Sequence, residues 1–171
     1  LRQILLEYMP ETTYNPVENH VLIVNNSLKF GGAERQVVRC LSCDSFSKQL
    51  VVWNSTVNTS TNSFIDEVRS LDVEILDYSL QREPLKSVYT SDIEHLLSLI
   101  PQTSPLNPGM TNKIRNLIHI IRLHRPYALH LWLDTTNVLG AIAGLIAGVP
   151  RIVMSARSLP PFANSNSTFP D

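Results

Sequence analysis

Two short stretches carry residue types whose spacing could do chemistry. In the first, Gly31 and Gly32 follow the polar turn residues Asn25, Asn26 and Ser27 and open a helical pattern. Glycines at that place let a ligand approach the free N–H groups of a first helical turn, where the positive end of the dipole favours an anion. In the second, Asp134 and Asn137 stand at the head of another helical pattern, just after Trp132. A carboxylate there can accept a proton from an attacking hydroxyl. Plain N-terminal capping suits the same two residues equally well. His130 lies on an apolar run and reads either as a hydrogen-bonded core histidine or as a polar group of the site. Arg157 follows a further apolar run and either faces a phosphate or anionic acceptor or lies in a solvated loop.

The elements that must position these residues follow from hydrophobic period and turn chemistry. Val21, Leu22, Ile23 and Val24 form a continuous apolar run, as expected of a strand buried on both faces. The next pattern, residues 33–43, places Val37, Val38 and Leu41 on one helical stripe. A second strand is expected over 48–53 and a loop over 54–62. Ser63 and Asp66 then have capping-box spacing at the head of a short helix through Ser70, before a third strand over 73–78. Residues 79–110 read as a peripheral insertion, with a helix over 91–100 and a proline-rich loop over 101–109. Ile114, Leu117, Ile118 and Ile121 predict an amphipathic helix over 111–124, ended by Pro126. A fourth strand over 128–133 leads to a helix capped by Thr135 or Thr136. Gly148 ends that helix, Pro150 prevents its continuation, and the fifth strand spans 151–155.

Strands separated by helices imply an α/β fold: a Rossmann-like, doubly wound parallel sheet of order 3-2-1-4-5 with helices on both faces. In that order the chain reverses direction between the first and fourth strands, and ligands bind at the carboxyl ends flanking such a switch point. The two stretches described first are the ones that follow these strands. Topology therefore selects the same residues as chemistry.

Composition narrows the class. The chain has 171 residues, 43% hydrophobic and 17% charged, enough for one globular core. A net charge of -1 offers no general attraction to nucleic acid or an anionic membrane. The longest apolar stretch, 138–149, is short of a transmembrane span and is interrupted by glycines, so it reads as a buried helix. Cys40 and Cys43, the only cysteines, fall inside the first helix without a second ligand pair. They read as packed or idle thiols of a reducing cytoplasm rather than as a metal or redox site.

Beyond these readings, GGAERQVV after a hydrophobic strand resembles the start of the family 4 retaining glycosyltransferases. The segment from Arg125 to Ser158, with R-P, a strand ending near His130, an asparagine at the head of a small-residue helix, and A-G-V-P before a strand, is similar to that family's second signature. The resemblance covers residues 20–160. It implies the N-terminal, acceptor-side domain of a GT-B enzyme, with 1–19 a lead-in and 161–171 a polar tail or linker toward a C-terminal domain. It further implies a sugar moved with retention from a nucleotide-sugar, as co-substrate, to a glycan or lipid-linked acceptor, with no bound metal, no other cofactor and no nucleic acid. Peripheral membrane contact and a cytoplasmic location, in polysaccharide biosynthesis, are compatible with this.

Residue by residue, Gly31 and Gly32 match the loop facing the donor phosphate and sugar. Asp134 would act as base, while Asn137, Arg157 and His130 would contact donor or acceptor. Where the family often writes H-x-H, the second histidine is replaced by Trp132, expected either as a cleft wall stacking on a sugar or as core. Two other readings are open: a GT-B sugar-nucleotide epimerase, which the single Asp134 suits poorly, and a non-catalytic sugar-binding module.

Overall fold

The computed structural model describes residues 14–53, 63–77, 97 and 108–156. Five strands, β1 (Val17–Asn25), β2 (Ser47–Val52), β3 (Glu74–Asp77), β4 (Pro126–Trp132) and β5 (Arg151–Ser155), form one sheet of order β3-β2-β1-β4-β5. Every neighbouring pair is parallel. Among the described residues four helices connect them: α1 (Gly32–Leu41), α2 (Ile65–Ser70), α3 (Pro108–His124) and α4 (Asp134–Ala147). The order and class are those predicted from the sequence.

Alternation along β1 divides the core. Leu22 and Val24 face a cluster built from α3 and α4, including Ile114, Leu117, Ile118, Ile121, Leu139 and Ala143. Ile23 faces the other cluster, with Val37, Val38 and Leu41 of α1 and Val68 of α2. Leu22, Ile23 and Val24 are fully buried. Each such aliphatic side chain contributes about 1.5–3 kcal/mol when taken from water, which explains why β1 is apolar without polar interruption at the centre of the sheet.

Several boundaries differ from expectation for identifiable reasons. The expected lead-in over 1–19 ends earlier, because β1 already starts at Val17, whose N–H donates to the Arg125 carbonyl at 2.8 Å. The Tyr14 hydroxyl donates to the Pro126 carbonyl at 2.8 Å, tying this segment to the start of β4. Helix α1 stops at Leu41 with Ser42 as its C-cap, short of Cys43. Cys40 is half-buried, Cys43 is exposed, and neither is in a disulfide. The capping box at Ser63 does not form: Phe64 is the N-cap of α2 and no side chain caps it. Ser63 instead bridges Lys29, and the Phe64 N–H donates to the Leu28 carbonyl at 2.8 Å, so this turn is anchored to the loop after β1. Helix α3 begins at Pro108, inside the expected proline-rich loop, as proline's fixed φ suits a first helical turn. The helix expected over 91–100 lies outside the described residues except for Leu97, which is buried in the α3–α4 cluster.

Helix α4 ends as predicted, on Gly148 at φ 85°, whose N–H donates to the Gly144 carbonyl at 3.0 Å. Its start is different. Thr135 and Thr136 lie within the helix, and Leu133 is the N-cap, with no capping side chain. Gly140 packs against Leu131, and Gly144 against Leu129 and Ile152, so absent side chains let α4 settle close on β4 and β5. The opposite side of α4 is not buried as expected: Val138 and Leu145 are exposed. Among the described residues, no helix is long and apolar enough to cross a membrane.

Candidate functional site at the switch point

The loops after β1 and β4 are neighbours because their strands are. Val24 pairs with Leu131, one residue short of the end of each strand. The Asn25 side chain is fully buried, and its Nδ2 donates to the Ser27 carbonyl at 2.7 Å, closing the first turn of the loop after β1. That loop delivers Gly31 as the N-cap of α1, with no side-chain cap.

Neither glycine is there for a left-handed backbone. Gly31 has φ −166° and ψ 166°, ordinary extended geometry, and among the described residues only Gly148 of the glycines has positive φ. Space is what they provide. A side chain at Gly31 would run into the Glu34 carboxylate, which folds back over it, whereas a Cβ at Gly32 would meet no atom within 4 Å. Gly31 therefore makes room for Glu34, and Gly32 leaves an open approach to the first turn of α1.

The opposite loop is held under strain. Leu133 has φ 72° and ψ 156°, a region costing a bulky residue about 1–3 kcal/mol. Three hydrogen bonds hold it: the Leu133 N–H donates to the Ser155 carbonyl at 3.2 Å, the Asn137 N–H to the Leu133 carbonyl at 2.7 Å, and Asn137 Nδ2 to the same Ser155 carbonyl at 3.2 Å. Asn137 is thus a brace between α4 and β5 rather than a cap. Its Oδ1, like Thr136 Oγ1 beside it, is buried with no hydrogen-bond partner. Immediately after the strained residue, Asp134 is exposed in the first turn of α4.

Trp132 is 3% exposed and packs in the α1-side core with Val37 and Val38, so of the two expectations for it the core is the one realised. Its buried ring offers no open wall to a sugar, because the side chains of β4 alternate and residue 132 points beneath α1. His130, on the same side, lies with its ring centroid 4.9 Å from that of Trp132, and its Nε2 is 2.9 Å from Ser155 Oγ. Burial pushes its pKa below the ordinary histidine value. His130 is thus a half-buried, hydrogen-bonded histidine. Arg157 lies outside the described residues.

The topology therefore places Gly31 and Gly32 after β1, and Asp134 and Asn137 after its neighbour β4, in the segments that follow the carboxyl ends of the two strands. The structure adds one residue that sequence reasoning missed. Phe30, directly before the glycines, is 58% exposed, and its ring stands 4.7 Å from that of Phe64 at 64°. Phe64 is buried, and the Arg35 guanidinium lies 5.0 Å over its ring. An aromatic residue abutting a glycine pair was the available signal.

No family model matches the chain. It is 30% identical over 156 residues to the Vi polysaccharide biosynthesis protein VipC/TviE of Salmonella typhi, an alignment that takes in 81% of this chain. The chain spans about a quarter (26%) of that relative's length.

Proposed function

We propose that residues 20–160 form the acceptor-side, N-terminal domain of a retaining GT-B glycosyltransferase acting in polysaccharide biosynthesis. Residues 161–171 then lead toward a C-terminal domain that holds the nucleotide-sugar. The observation carrying this reading is the juxtaposition of two uncapped helix starts, α1 at Gly31 and α4 at Leu133, across the switch point of a 3-2-1-4-5 sheet. The likeness to a polysaccharide biosynthesis protein supports the biological setting.

In this reading the acceptor hydroxyl enters above the first turn of α4 and Asp134 takes its proton. The acceptor oxygen bonds to the anomeric carbon as the bond from that carbon to the nucleoside diphosphate breaks, with configuration retained. The charge on the departing diphosphate is met by basic groups of the C-terminal domain. The nucleotide-sugar is a co-substrate, and no metal or further cofactor takes part. Partners are the donor, a glycan or lipid-linked acceptor, and the C-terminal domain of the same chain.

The test is to assay the full-length protein with a panel of nucleotide-sugars and glycan acceptors, beside the 171-residue chain. Sugar transfer by the former and none by the latter is expected. Turnover by the 171-residue chain alone, or none by the full-length protein with any donor, overturns the reading.

A further inference from the structure

Strand β4 ends at Trp132 and helix α4 begins at Asp134, so the single residue Leu133 makes the whole turn between them. It does so at φ 72° and ψ 156°, a backbone region essentially confined to glycine, and a leucine stays there only where its surroundings hold it. Those surroundings converge on Ser155. Its carbonyl accepts from the Leu133 N–H and from Asn137 Nδ2, both at 3.2 Å, while the Leu133 carbonyl accepts from the Asn137 N–H at 2.7 Å. Asn137 thus grips Leu133 from both sides, through the residue's own carbonyl and through the acceptor that its N–H uses. Ser155 is itself anchored, paired with Trp132 in the β4–β5 ladder and with its Oγ 2.9 Å from His130 Nε2. An asparagine is also a costly choice at this buried place, since its Oδ1 has no hydrogen-bond partner there. The bond made by its Nδ2 is what an apolar residue would lack.

The geometry points to Asn137 as the positioning residue of Asp134: with the Ser155 carbonyl it forms a latch that keeps Leu133 in its strained turn and so fixes where the exposed carboxylate stands. The inference rests on the reading above, in which Asp134 takes the acceptor's proton. Leu133 freed of the latch relaxes to the common extended region by rotating φ through roughly half a turn. That rotation redirects the chain from its Cα onward, and the first residue displaced is Asp134. A general base works only within hydrogen-bond reach of the proton it takes, so a shift of about 1 Å is felt in the rate. Strained strand-to-helix elbows present reactive side chains above other α/β sheets by the same physics. Asn137 itself is buried and turned to Ser155, and acts through Leu133 rather than on the substrate.

The experiment has two arms. In the 171-residue chain, isotope-labelled for NMR, hydrogen exchange reads the latch directly. Asn137→Ala should speed exchange of the Leu133 amide while the amides of β1 keep their native rates, which also shows that the variant is folded. In the full-length protein, supplied with the donor and acceptor that the native enzyme turns over, Asn137→Ala should lower kcat by up to about a hundredfold with KM little changed. Adding Leu133→Gly to that variant should recover most of the loss, because glycine takes these angles without a brace. A Leu133 amide unaffected by Asn137→Ala, or a native kcat in that variant, overturns the latch and leaves the transferase reading standing. So does a loss of turnover that Leu133→Gly fails to relieve, since that is what a merely structural asparagine gives. Absence of transfer by the native full-length protein overturns the transferase reading itself, and the latch's role toward Asp134 falls with it.

Discussion

Nε2 of His130 lies 2.9 Å from Oγ of Ser155, a bond across the β4–β5 ladder just below the loop that carries Asp134. Burial disfavours the imidazolium, so the folded-state pKa falls below the ordinary 6.5. A histidine whose folded pKa is depressed binds its proton more readily when unfolded. Its stabilising effect is therefore complete above pH 6.5 and is lost as pH falls from that value toward the folded pKa.

Thermal unfolding should accordingly show a lower Tm at pH 5.5 than at pH 8, and His130→Gln should reduce that difference. His124, also depressed by burial, contributes in the same direction and keeps the difference from vanishing. An unchanged pH dependence in His130→Gln would remove His130 from this account.

Gly32→Val tests the open approach to α1. Because a side chain there meets nothing and the backbone is not left-handed, stability should change by no more than about 0.5 kcal/mol. Turnover of the full-length protein should fall by orders of magnitude, as the valine fills space a substrate needs. Calorimetry beside a kinetic assay checks both halves, and native turnover with native Tm would refute the functional one.

Gly140→Ala should do the reverse. Its new methyl group collides with Leu131, a fully buried side chain, so α4 must lift from the sheet. A loss of roughly 1–3 kcal/mol is expected, seen as a Tm lowered by several degrees. Gly32→Ala is the control in which no such loss occurs.

Asp134→Asn should abolish sugar transfer by the full-length protein while costing about 0.3–1 kcal/mol, the contribution of an acidic residue to a helix start. If transfer persists at the native rate, the proton goes elsewhere.

Much of the fold was legible because buried parallel strands leave a plain signature. The runs at 21–24 and 50–53, and the stop at Gly148 and Pro150, needed no tertiary information. The misplaced caps at Ser63 and Thr135 have one cause. A Ser or Thr before a helix is a local signal, and here the backbone of Ser63 is engaged by Lys29 while the turn after β4 is drawn in by the Ser155 carbonyl. Neither partner is near in sequence. That the glycine pair and Asp134 stand at helix starts was readable from the pattern around them. Which way Trp132 points was not, since a one-residue choice of face on β4 decides between cleft and core. Phe30 went unnoticed because a lone aromatic in a turn has no periodicity to mark it, and its significance appears only beside Phe64.

The pairing of β1 with β4 joins segments on the order of a hundred residues apart, and closing so long a loop is slow for a parallel sheet. During synthesis the strand carrying the glycine loop leaves the ribosome well before its partner exists. At that stage it can pair with β2, which in turn pairs with β3, and the β4-facing edge of β1 stands open. The switch point between β1 and β4 is therefore among the last features to form in each new molecule, and chaperones that shield an unpaired central strand would find their target in residues 21–24.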